Sequence, residues 1–423
     1  MPSGLDRLLA LPRFADDPAG AYRPGLDRVR ALLGAMGDPH RAAPVVHVGG
    51  TNGKGSTASF VAAIATASGR RVGLLTSPTL LHPAEMARVD GVPQVEAFGA
   101  AADRWMEEAA AVGSSFFEAA VALAFVVFSQ AEVDLAVVEV GLGGVEDATA
   151  VVDPAVTIVT SVGLDHTDVL GATRPEIARV KAGIAAPGVP FLHAVEGAET
   201  VAALEEEARR RGGVPERVRE TVRLATEAEG LVIETERQSY GPVALGLPGA
   251  HQAWNAALAV RAVESLGLGV AGEAVERGLR DVVALAGLRG RSEAWVGDPR
   301  LVLDVAHNAD GLRAALAAVA VPPGGRLHVL LGMMADKAIA EVADALRGVR
   351  IQTVPLDTPR ALSAAALAAR LRSAGLGDVT EAGGVADAIG AFREAAGAAD
   401  RLLVTGSHRT VAEALRAFED GAV

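Results

Sequence analysis

The chain has 423 residues, of which half are apolar, and a formal net charge of −13 at pH 7. It contains no cysteine, which excludes disulfide frameworks, thiolate metal sites and cysteine nucleophiles together. The charge is spread along the chain without a dense Lys/Arg block, and aromatic residues make up only 4%, so we expect no nucleic-acid partner. A length above that of one hydrophobic core predicts two domains.

The longest apolar run, residues 119–128, is shorter than the roughly 20 residues that a membrane-spanning helix needs. It is typical of a buried helix. The N-terminus, with Asp6, Arg7 and Arg13, lacks the layout of a signal peptide. We therefore expect a soluble, cytoplasmic protein with no membrane partner.

Short β-branched runs alternate with longer helical stretches rich in alanine and leucine, which predicts parallel strands joined by crossover helices. The strand candidates of the first half are residues 45–48, 72–76, 135–140, 156–160 and 190–193. All but the last run into a cluster of glycine, serine or asparagine. Open α/β sheets bind ligands at the carboxyl ends of their strands, so we expect a ligand site at this edge.

Residues 196–246 are charged and irregular, with a helix predicted at 202–211 and a strand at 231–235. A further helix is predicted to start near residue 247 and to carry His251, Gln252 and Asn255. A second alternating series follows, with strand candidates at 301–305, 327–331, 351–355, 379–381 and 402–405. We place the domain boundary near residue 290.

Residues 45–57 have the pattern of a buried strand, a glycine-rich turn and the start of a helix. Glycines let the backbone approach an anion, and a helix N-terminus adds a favourable dipole. Lys54 would then contact the β- and γ-phosphates, and Ser56 or Thr57 would supply a hydroxyl to Mg²⁺. The strict Walker pattern is not met, since Val48 replaces its first glycine and Gly55 displaces the Ser/Thr by one.

A plain glycine-rich βα turn is the alternative, but the order of strand, loop, lysine and helix favours nucleotide binding. The predicted ATP-binding residues of this loop are Gly50, Thr51, Asn52, Gly53, Lys54, Gly55, Ser56 and Thr57.

From this loop onward the sequence resembles the folylpolyglutamate synthase and dihydrofolate synthase branch of the Mur ligases. The family loop Gly-Thr-Asn-Gly-Lys-Gly-Ser is present as residues 50–56, including the offset serine. Further matching motifs follow in family order at residues 76–78, 139–144, 163–167, 181–184, 251–257, 304–308 and 332–337. One such motif would be weak evidence for the family, but seven in the family's order are specific to it.

The resemblance implies an α/β fold class. A mostly parallel, P-loop-type ATPase domain with a helical lead-in would occupy residues 1–290. A smaller Rossmann-like α/β domain, the glutamate-ligase domain, would occupy residues 291–423.

Glu139 ends an apolar strand, where a carboxylate is costly unless it is paired or bound to a cation. Magnesium takes hard oxygen ligands. The resemblance implies that Ser77, Glu139 and His166 hold Mg²⁺ and that Lys181 is carbamylated and bridges a second Mg²⁺. It also assigns catalytic roles to Lys54, His166 and Lys181. Taken alone, His166 also fits a polar turn, and Lys181 also fits a solvated helix lysine.

Asp304 and His307 follow the apolar strand candidate 301–305, and the resemblance implies that they contact the nucleotide from the C-terminal domain. Asn255 and Arg291 are expected to help hold adenine and phosphates. Four further polar residues after strands fit ordinary loop polarity at least as well: Asp336, Lys337, Ser407 and His408.

The resemblance implies ligation of L-glutamate to dihydropteroate, to folates or to both, through an acyl phosphate, by a monomer that uses ATP and Mg²⁺. The chain departs from the family near the acyl acceptor, with Thr79 in place of His, Met86 and Ala87 within the Glu-Arg-Ile element, and Val145 and Ala150 in place of Arg and Asn. The alternatives are a Mur-type ligase with another acyl acceptor and a nucleotide-binding protein that has lost ligation.

Overall fold

The structure is a computed structural model that describes residues 2–13 and 25–421. The chain divides into two compact units, Met1–Leu247 with His251–Leu288, and Pro248–Ala250 with Arg289–Val423. Each unit contains a largely parallel sheet flanked by helices, so the predicted α/β fold class is confirmed.

Within the described residues, the larger sheet of the first unit has eight strands: β1 Val45–Gly49, β2 Val72–Leu75, β3 Arg88–Val89, β4 Val92–Pro93, β5 Leu135–Glu139, β6 Pro154–Val159, β7 Pro190–His193 and β8 Val214–Arg217. They lie in the order β4-β3-β2-β5-β1-β6-β7-β8. Only the pairings made by β3 are antiparallel in this sheet as described. At its centre, Val48 of β1 pairs with Glu139 of β5 and with Ile158 of β6.

The helices of this unit cover the sheet: α1 Gly4–Leu9, α2 Asp27–Ala35, α3 Lys54–Ala67, α4 Val95–Ala111, α5 Phe116–Gln130, α6 Thr167–Leu170, α7 Arg174–Lys181, α8 Ala198–Arg210, α9 Val218–Thr221, α10 His251–Ser265, α11 Gly272–Arg280 and α12 Val282–Ala286. The central strands β1 and β5 are buried along their whole length and are apolar apart from His47 and Glu139, as expected of a sheet covered on both faces. Helix α3 is buried along residues 55–65 and packs against α10 and α11.

The charged middle of the chain contains a three-stranded antiparallel sheet, formed by β9 Arg223–Glu227, β10 Gly230–Glu234 and β11 Ser239–Val243. Only β10 was predicted, because its apolar residues are recognisable. Most of β9 is exposed and polar, so its sequence carries little strand signal.

The second unit contains β12 Glu293–Trp295, β13 Asp298–Leu303, β14 Leu327–Leu331, β15 Arg350–Thr353, β16 Val379–Glu381 and β17 Arg401–Thr405. Their order is β12-β13-β17-β14-β15-β16, and only β12 runs antiparallel in this sheet as described. The helices are α13 Ala309–Ala318, α14 Ile339–Ala345, α15 Ala364–Ser373, α16 Val385–Ala395 and α17 His408–Glu419.

The apolar run at 119–128 lies inside α5 and is buried, as predicted. Across the described ranges we find no helix with the length and apolar character that crossing a membrane requires.

Candidate functional site

The predicted motifs of the first unit meet because β5, β1 and β6 are adjacent and parallel. Their carboxyl ends lie at one edge of the sheet, so the loops that follow them are neighbours. These loops contain residues 50–53 after β1, residues 140–147 after β5 and residues 160–166 after β6.

The phosphate loop, residues 50–53, is fixed by the loop after β6. The Thr51 N–H donates to the Ser161 carbonyl at 2.8 Å, and the Asn52 N–H donates to Ser161 Oγ at 3.0 Å. The Thr160 hydroxyl donates to the Asn52 carbonyl at 2.7 Å. The conformation of the phosphate loop is therefore set by hydrogen bonds to a neighbouring strand end.

Glycine is required at two positions of this loop. Gly53 has φ +86°, and a Cβ there would lie 2.6 Å from Asn255 Oδ1. Gly50 has φ +143°, and a Cβ there would lie 2.0 Å from Thr160 Oγ1. Because Gly53 is the N-cap of α3 and has no side chain, the first N–H groups of the helix are left to other partners, which is the arrangement that binds anions.

Two lysines lie against the phosphate loop. Lys54 Nζ donates to the Thr51 carbonyl at 3.1 Å, and Lys181 Nζ donates to the Gly50 carbonyl at 2.8 Å. Lys181 is only 4% exposed, so it is not a solvated helix lysine. Burial, reinforced by the Lys54 charge, lowers the pKa of Lys181 to about 7.

Glu139 and Ser77 are in contact at the edge of the sheet. The Glu139 side chain is buried, and its Oε2 accepts the Ser77 N–H at 3.1 Å. His166 follows β6 in a left-handed backbone conformation, with φ +50°. Its Nε2 lies 3.9 Å from Asp165 Oδ1.

Across the part of the chain that the structure describes, no three His, Asp or Glu side chains are grouped as metal ligands. A metal at Glu139 would therefore need hydroxyl, water or phosphate oxygens as well. A buried carboxylate next to a serine fits Mg²⁺, which is commonly bound by one or two carboxylates while it keeps several waters.

A buried polar network under this edge was not predicted as part of the site. His47 Nε2 lies 2.9 Å from Thr149 Oγ1, and the Thr149 hydroxyl lies 2.5 Å from Asp147 Oδ1. Asp147 Oδ2 also accepts the Leu142 N–H at 2.8 Å, which fixes the turn after Glu139. Burial raises the pKa of Asp147 and lowers that of His47 to about 4. A histidine within an otherwise apolar strand was the available sequence signal.

The turn after Glu139 also packs closely on the end of α7. A Cβ on Gly144 would lie 2.0 Å from the Val180 carbonyl oxygen, and one on Gly183 would lie 2.8 Å from the Val145 nitrogen. The turn and the backbone that carries Lys181 are therefore in direct contact.

Asn255, on α10, lies at the phosphate loop. Its Nδ2 donates to Gln252 Oε1 at 2.8 Å, and Gln252 Nε2 donates to Ser56 Oγ at 3.4 Å. Both α10 side chains are buried. The structure thus brings Asn255 together with the other predicted nucleotide-binding residues of the first unit.

In the second unit, Asp304 lies partly buried just after β13. Its Oδ2 accepts the Ser292 N–H at 2.8 Å, and its Oδ1 accepts the Ala306 N–H at 2.8 Å. Burial raises the pKa of Asp304, and the nearby Arg291 charge opposes that shift. His307 Nδ1 lies 3.1 Å from the Val305 carbonyl oxygen.

Three of the other polar residues named from the sequence, Asp336, Ser407 and His408, make contacts within the second unit. Ser407 caps α17 by accepting the Thr410 N–H at 3.1 Å, and Asp336 pairs with Arg360 at 3.2 Å. The rings of His408 and His307 are 6.0 Å apart. Helix capping accounts for the polar side chain of Ser407, and ion pairing accounts for that of Asp336.

Comparisons with known proteins agree with this architecture. The Mur ligase middle domain family matches residues 48–263, and the Mur ligase glutamate ligase domain family matches residues 290–408. A dihydrofolate synthase/folylpolyglutamate synthase of Mycobacterium tuberculosis is 35% identical over 87% of this chain and 82% of its own.

A probable bifunctional folylpolyglutamate synthase/dihydropteroate synthase of Haloferax volcanii is 37% identical over 93% of this chain. The chain spans only about half of that relative's length, 48%. Among solved structures, E. coli FolC in complex with DHPP and ADP superposes with a TM-score of 0.87, at 30% identity and with 100% of both chains covered. The chain therefore belongs to the dihydrofolate synthase/folylpolyglutamate synthase family of the Mur ligases.

Proposed function

We propose that this chain is an ATP-dependent ligase that joins L-glutamate to dihydropteroate, to folates that already carry glutamate, or to both. The observation that carries the proposal is the phosphate loop with Lys54 and Lys181 against it, at the same sheet edge as Glu139. The names of its relatives and the DHPP and ADP bound to E. coli FolC support the choice of substrates.

In the first step, a carboxylate oxygen of the acceptor attacks the γ-phosphorus of ATP. The bond to the β,γ-bridging oxygen breaks, ADP leaves, and an acyl phosphate forms. Lys54 and the first N–H groups of α3 would hold the phosphates and offset their charge, since catalysis of phosphoryl transfer is mostly positioning and electrostatics.

In the second step, the amino group of L-glutamate attacks the acyl carbonyl carbon. A proton leaves the nitrogen, the carbon–oxygen bond to phosphate breaks, and an amide and inorganic phosphate are released. We propose His166 and Lys181 as further catalytic residues at this edge of the sheet.

Ser77, Glu139 and His166 would hold Mg²⁺, together with Lys181 once it is carbamylated. When bound, the metal would neutralise charge on the transferring phosphoryl group. Carbamylation requires Lys181 Nζ to lose a proton and attack CO₂. A pKa near 7 leaves a large neutral fraction at physiological pH, which supports this modification.

We also propose residues that contact the nucleotide, namely Asn255, Arg291, Asp304 and His307. The contact between Gly53 and Asn255 supports the first of these. We further propose a monomeric, cytoplasmic enzyme whose partners are small molecules and neither nucleic acid nor membrane.

The test is a matrix of ATP, L-glutamate and either dihydropteroate or a reduced folate, with phosphate release and the mass of the product as readouts. We expect phosphate release only when all three substrates are present, and a product heavier than the acceptor by one glutamyl residue. Activity with dihydropteroate, folate or both decides the acceptor, which the departures at Thr79, Val145 and Ala150 leave open.

Lys54→Ala should lower kcat/KM by at least about 100-fold, the scale of one lost preorganised charge contact. Arg210→Ala, which removes an exposed cation from α8, is the matched control and should keep its activity. Phosphate release that depends on a different acyl acceptor would favour another Mur-type ligase. ATP binding without any amide product would refute ligation.

A further inference from the structure

The turn after Glu139, residues 141–147, lies between the end of β5 and the backbone that carries Lys181, and one buried residue holds it. Asp147 Oδ2 accepts the Leu142 N–H at 2.8 Å, and the Asp147 N–H donates to the Gly144 carbonyl at 3.1 Å. Asp147 is only 6% exposed. The shape of the turn therefore depends on where Asp147 is held.

A chain of hydrogen bonds ties Asp147 to the middle of β1. The Thr149 hydroxyl and the Thr149 N–H both donate to Asp147 Oδ1, the N–H at 3.0 Å. Because the hydroxyl proton is used in that bond, Thr149 Oγ1 accepts from His47, whose Nε2 lies 2.9 Å away. Burial lowers the pKa of His47 to about 4, so its ring is neutral at physiological pH and has its proton on Nε2.

The chain has a fixed direction, since every bond in it brings a hydrogen toward the Asp147 carboxylate. Hydrogen bonds to an ionised acceptor are stronger than neutral ones. His47 and Thr149 are also buried, so water cannot replace a bond that is lost between them. The three side chains thus fix one another and, through Asp147, the turn.

The turn lies directly against the end of α7. A Cβ on Gly144 would lie 2.0 Å from the Val180 carbonyl oxygen, and one on Gly183 would lie 3.2 Å from Val145 Cβ. The turn therefore cannot move toward α7 without displacing the residues on either side of Lys181. Burial has the largest effect on the pKa of Lys181 and lowers it, while the Asp147 charge opposes that shift, so the two side chains also interact electrostatically.

These contacts form a closed circuit around the carboxyl ends of β1 and β5. Lys181 Nζ donates to the Gly50 carbonyl at 2.8 Å, and Gly50 lies three residues beyond His47. The circuit runs from His47 through Thr149 and the turn to α7, and Lys181 brings it back to the end of β1. A displaced turn would therefore move the Lys181 amine relative to the phosphate loop.

We propose that Asp147, held by Thr149 and His47, positions the Lys181 amine against the phosphate loop. The proposal rests on the proposed ligase function, in which Lys181 is a catalytic residue. Asp147, Thr149 and His47 are positioning residues that act through the turn and do not themselves touch the reacting atoms.

The test compares Thr149→Val with Thr149→Ser in the whole chain. Valine removes the hydroxyl and leaves the buried His47 N–H without an acceptor, whereas serine keeps the hydroxyl. The chain has only three lysines, so lysine labelled with ¹³C at Cε gives three NMR signals, and Lys181→Arg identifies the one from Lys181. We expect that signal to shift in Thr149→Val and to return to its wild-type position in Thr149→Ser.

The same variants separate the rate from substrate binding. The kcat of Thr149→Val should fall about tenfold while the KM values for ATP and L-glutamate stay within about twofold, because a displaced catalytic lysine lowers the rate without removing a binding contact. Thr149→Ser should recover the rate.

Thr157→Val is the matched control. Thr157 is buried on β6 and pairs with His47 in the sheet, but its hydroxyl donates to the Pro190 carbonyl at 3.1 Å. It should change neither the Lys181 signal nor kcat. If Thr149→Val fails to fold, His47→Leu removes the donor at the other end of the chain of hydrogen bonds and provides the same readouts.

An unchanged Lys181 signal in Thr149→Val, or an equal shift in Thr157→Val, would overturn the proposal. A shifted signal with an unchanged kcat would overturn the role of these residues in catalysis. If the wild type forms no amide product, the proposed function fails, and the Lys181 signal alone then decides whether Asp147, Thr149 and His47 position that lysine.

Discussion

Lys181 is one of only three lysines in the chain, with Lys54 and Lys337. It is buried next to Lys54 and donates to the backbone of the phosphate loop, 131 residues away in sequence. A buried amine beside a second cation is easier to deprotonate than an exposed one. The sequence motif alone left Lys181 open to interpretation as a surface lysine, because burial depends on contacts between distant segments.

We expect protein equilibrated with ¹³C-bicarbonate to show a carbamate signal by NMR at pH 8, and the signal to fall as the pH is lowered through about 7. Below that pH, Lys181 is mostly protonated and cannot attack CO₂. Lys181→Arg should abolish the signal, and Lys337→Arg should retain it. A signal that survives in Lys181→Arg would place the carbamate elsewhere.

The lowered pKa of Lys181 also makes the free energy of unfolding depend on pH. The unfolded chain has the ordinary lysine pKa of 10.5, so between about pH 7 and 10.5 it holds a proton that the folded chain has released. The free energy of unfolding should therefore rise with pH in that window relative to Lys181→Met, and the difference should be flat below it. Urea unfolding at pH 7 and pH 9 measures this contrast.

At the scale of elements, the strands with strong apolar signals were predicted closely. Strands 190–193, 327–331 and 379–381 match their predicted bounds, and the other predicted strands differ from theirs by one to three residues at an end. Six strands of the described residues were not predicted: β3, β4, β8, β9, β11 and β12. β9 is mostly exposed and lacks the apolar alternation on which such predictions depend, and β11 is interrupted by Gly241 and Pro242.

The site was predictable as a set of motifs but not as a set of contacts. A glycine-rich loop between a strand and a helix is visible in sequence, and so is a carboxylate at a strand end. The position of Asn255 against Gly53 is not, since it depends on how α10 packs on α3. The hydrogen bond between Glu139 and Ser77 likewise follows from the pairing of β2 with β5.

Gly53→Ala should weaken ADP binding by at least about tenfold, because an added Cβ would combine a left-handed backbone with a 2.6 Å approach to Asn255. Gly69→Ala is a close control, since Gly69 has the same φ of +86° and a Cβ added there would have no atom within 4 Å. Calorimetric titration with ADP compares them. Equal affinity in the two variants would show that the contact with Asn255 does not matter.

At the scale of the whole molecule, each unit has its own apolar core. Leu403 and Leu331 belong to the core of the second unit, and Val46 and Val137 belong to a core of the first. A chain with separate cores can lose stability in one part at a time.

Leu403→Ala should cost about 2–5 kcal/mol in the second unit, the usual range for a fully buried leucine. We expect faster hydrogen exchange to be concentrated in residues 289–421, while peptides of β1 and β5 exchange as in the wild type. Equal acceleration in both units would contradict the independence of the cores.

The phosphate loop depends on partners far along the chain. Thr51 is bonded to Gly163, 112 residues later, and Gly50 to Lys181, 131 residues later. During synthesis, the loop emerges long before the segments that shape it. A nascent chain that ends before β6 has the glycines and the lysine of the motif but not their geometry. Nucleotide should therefore bind the completed sheet more tightly than earlier folding intermediates. Binding would then stabilise the whole first unit rather than the loop alone.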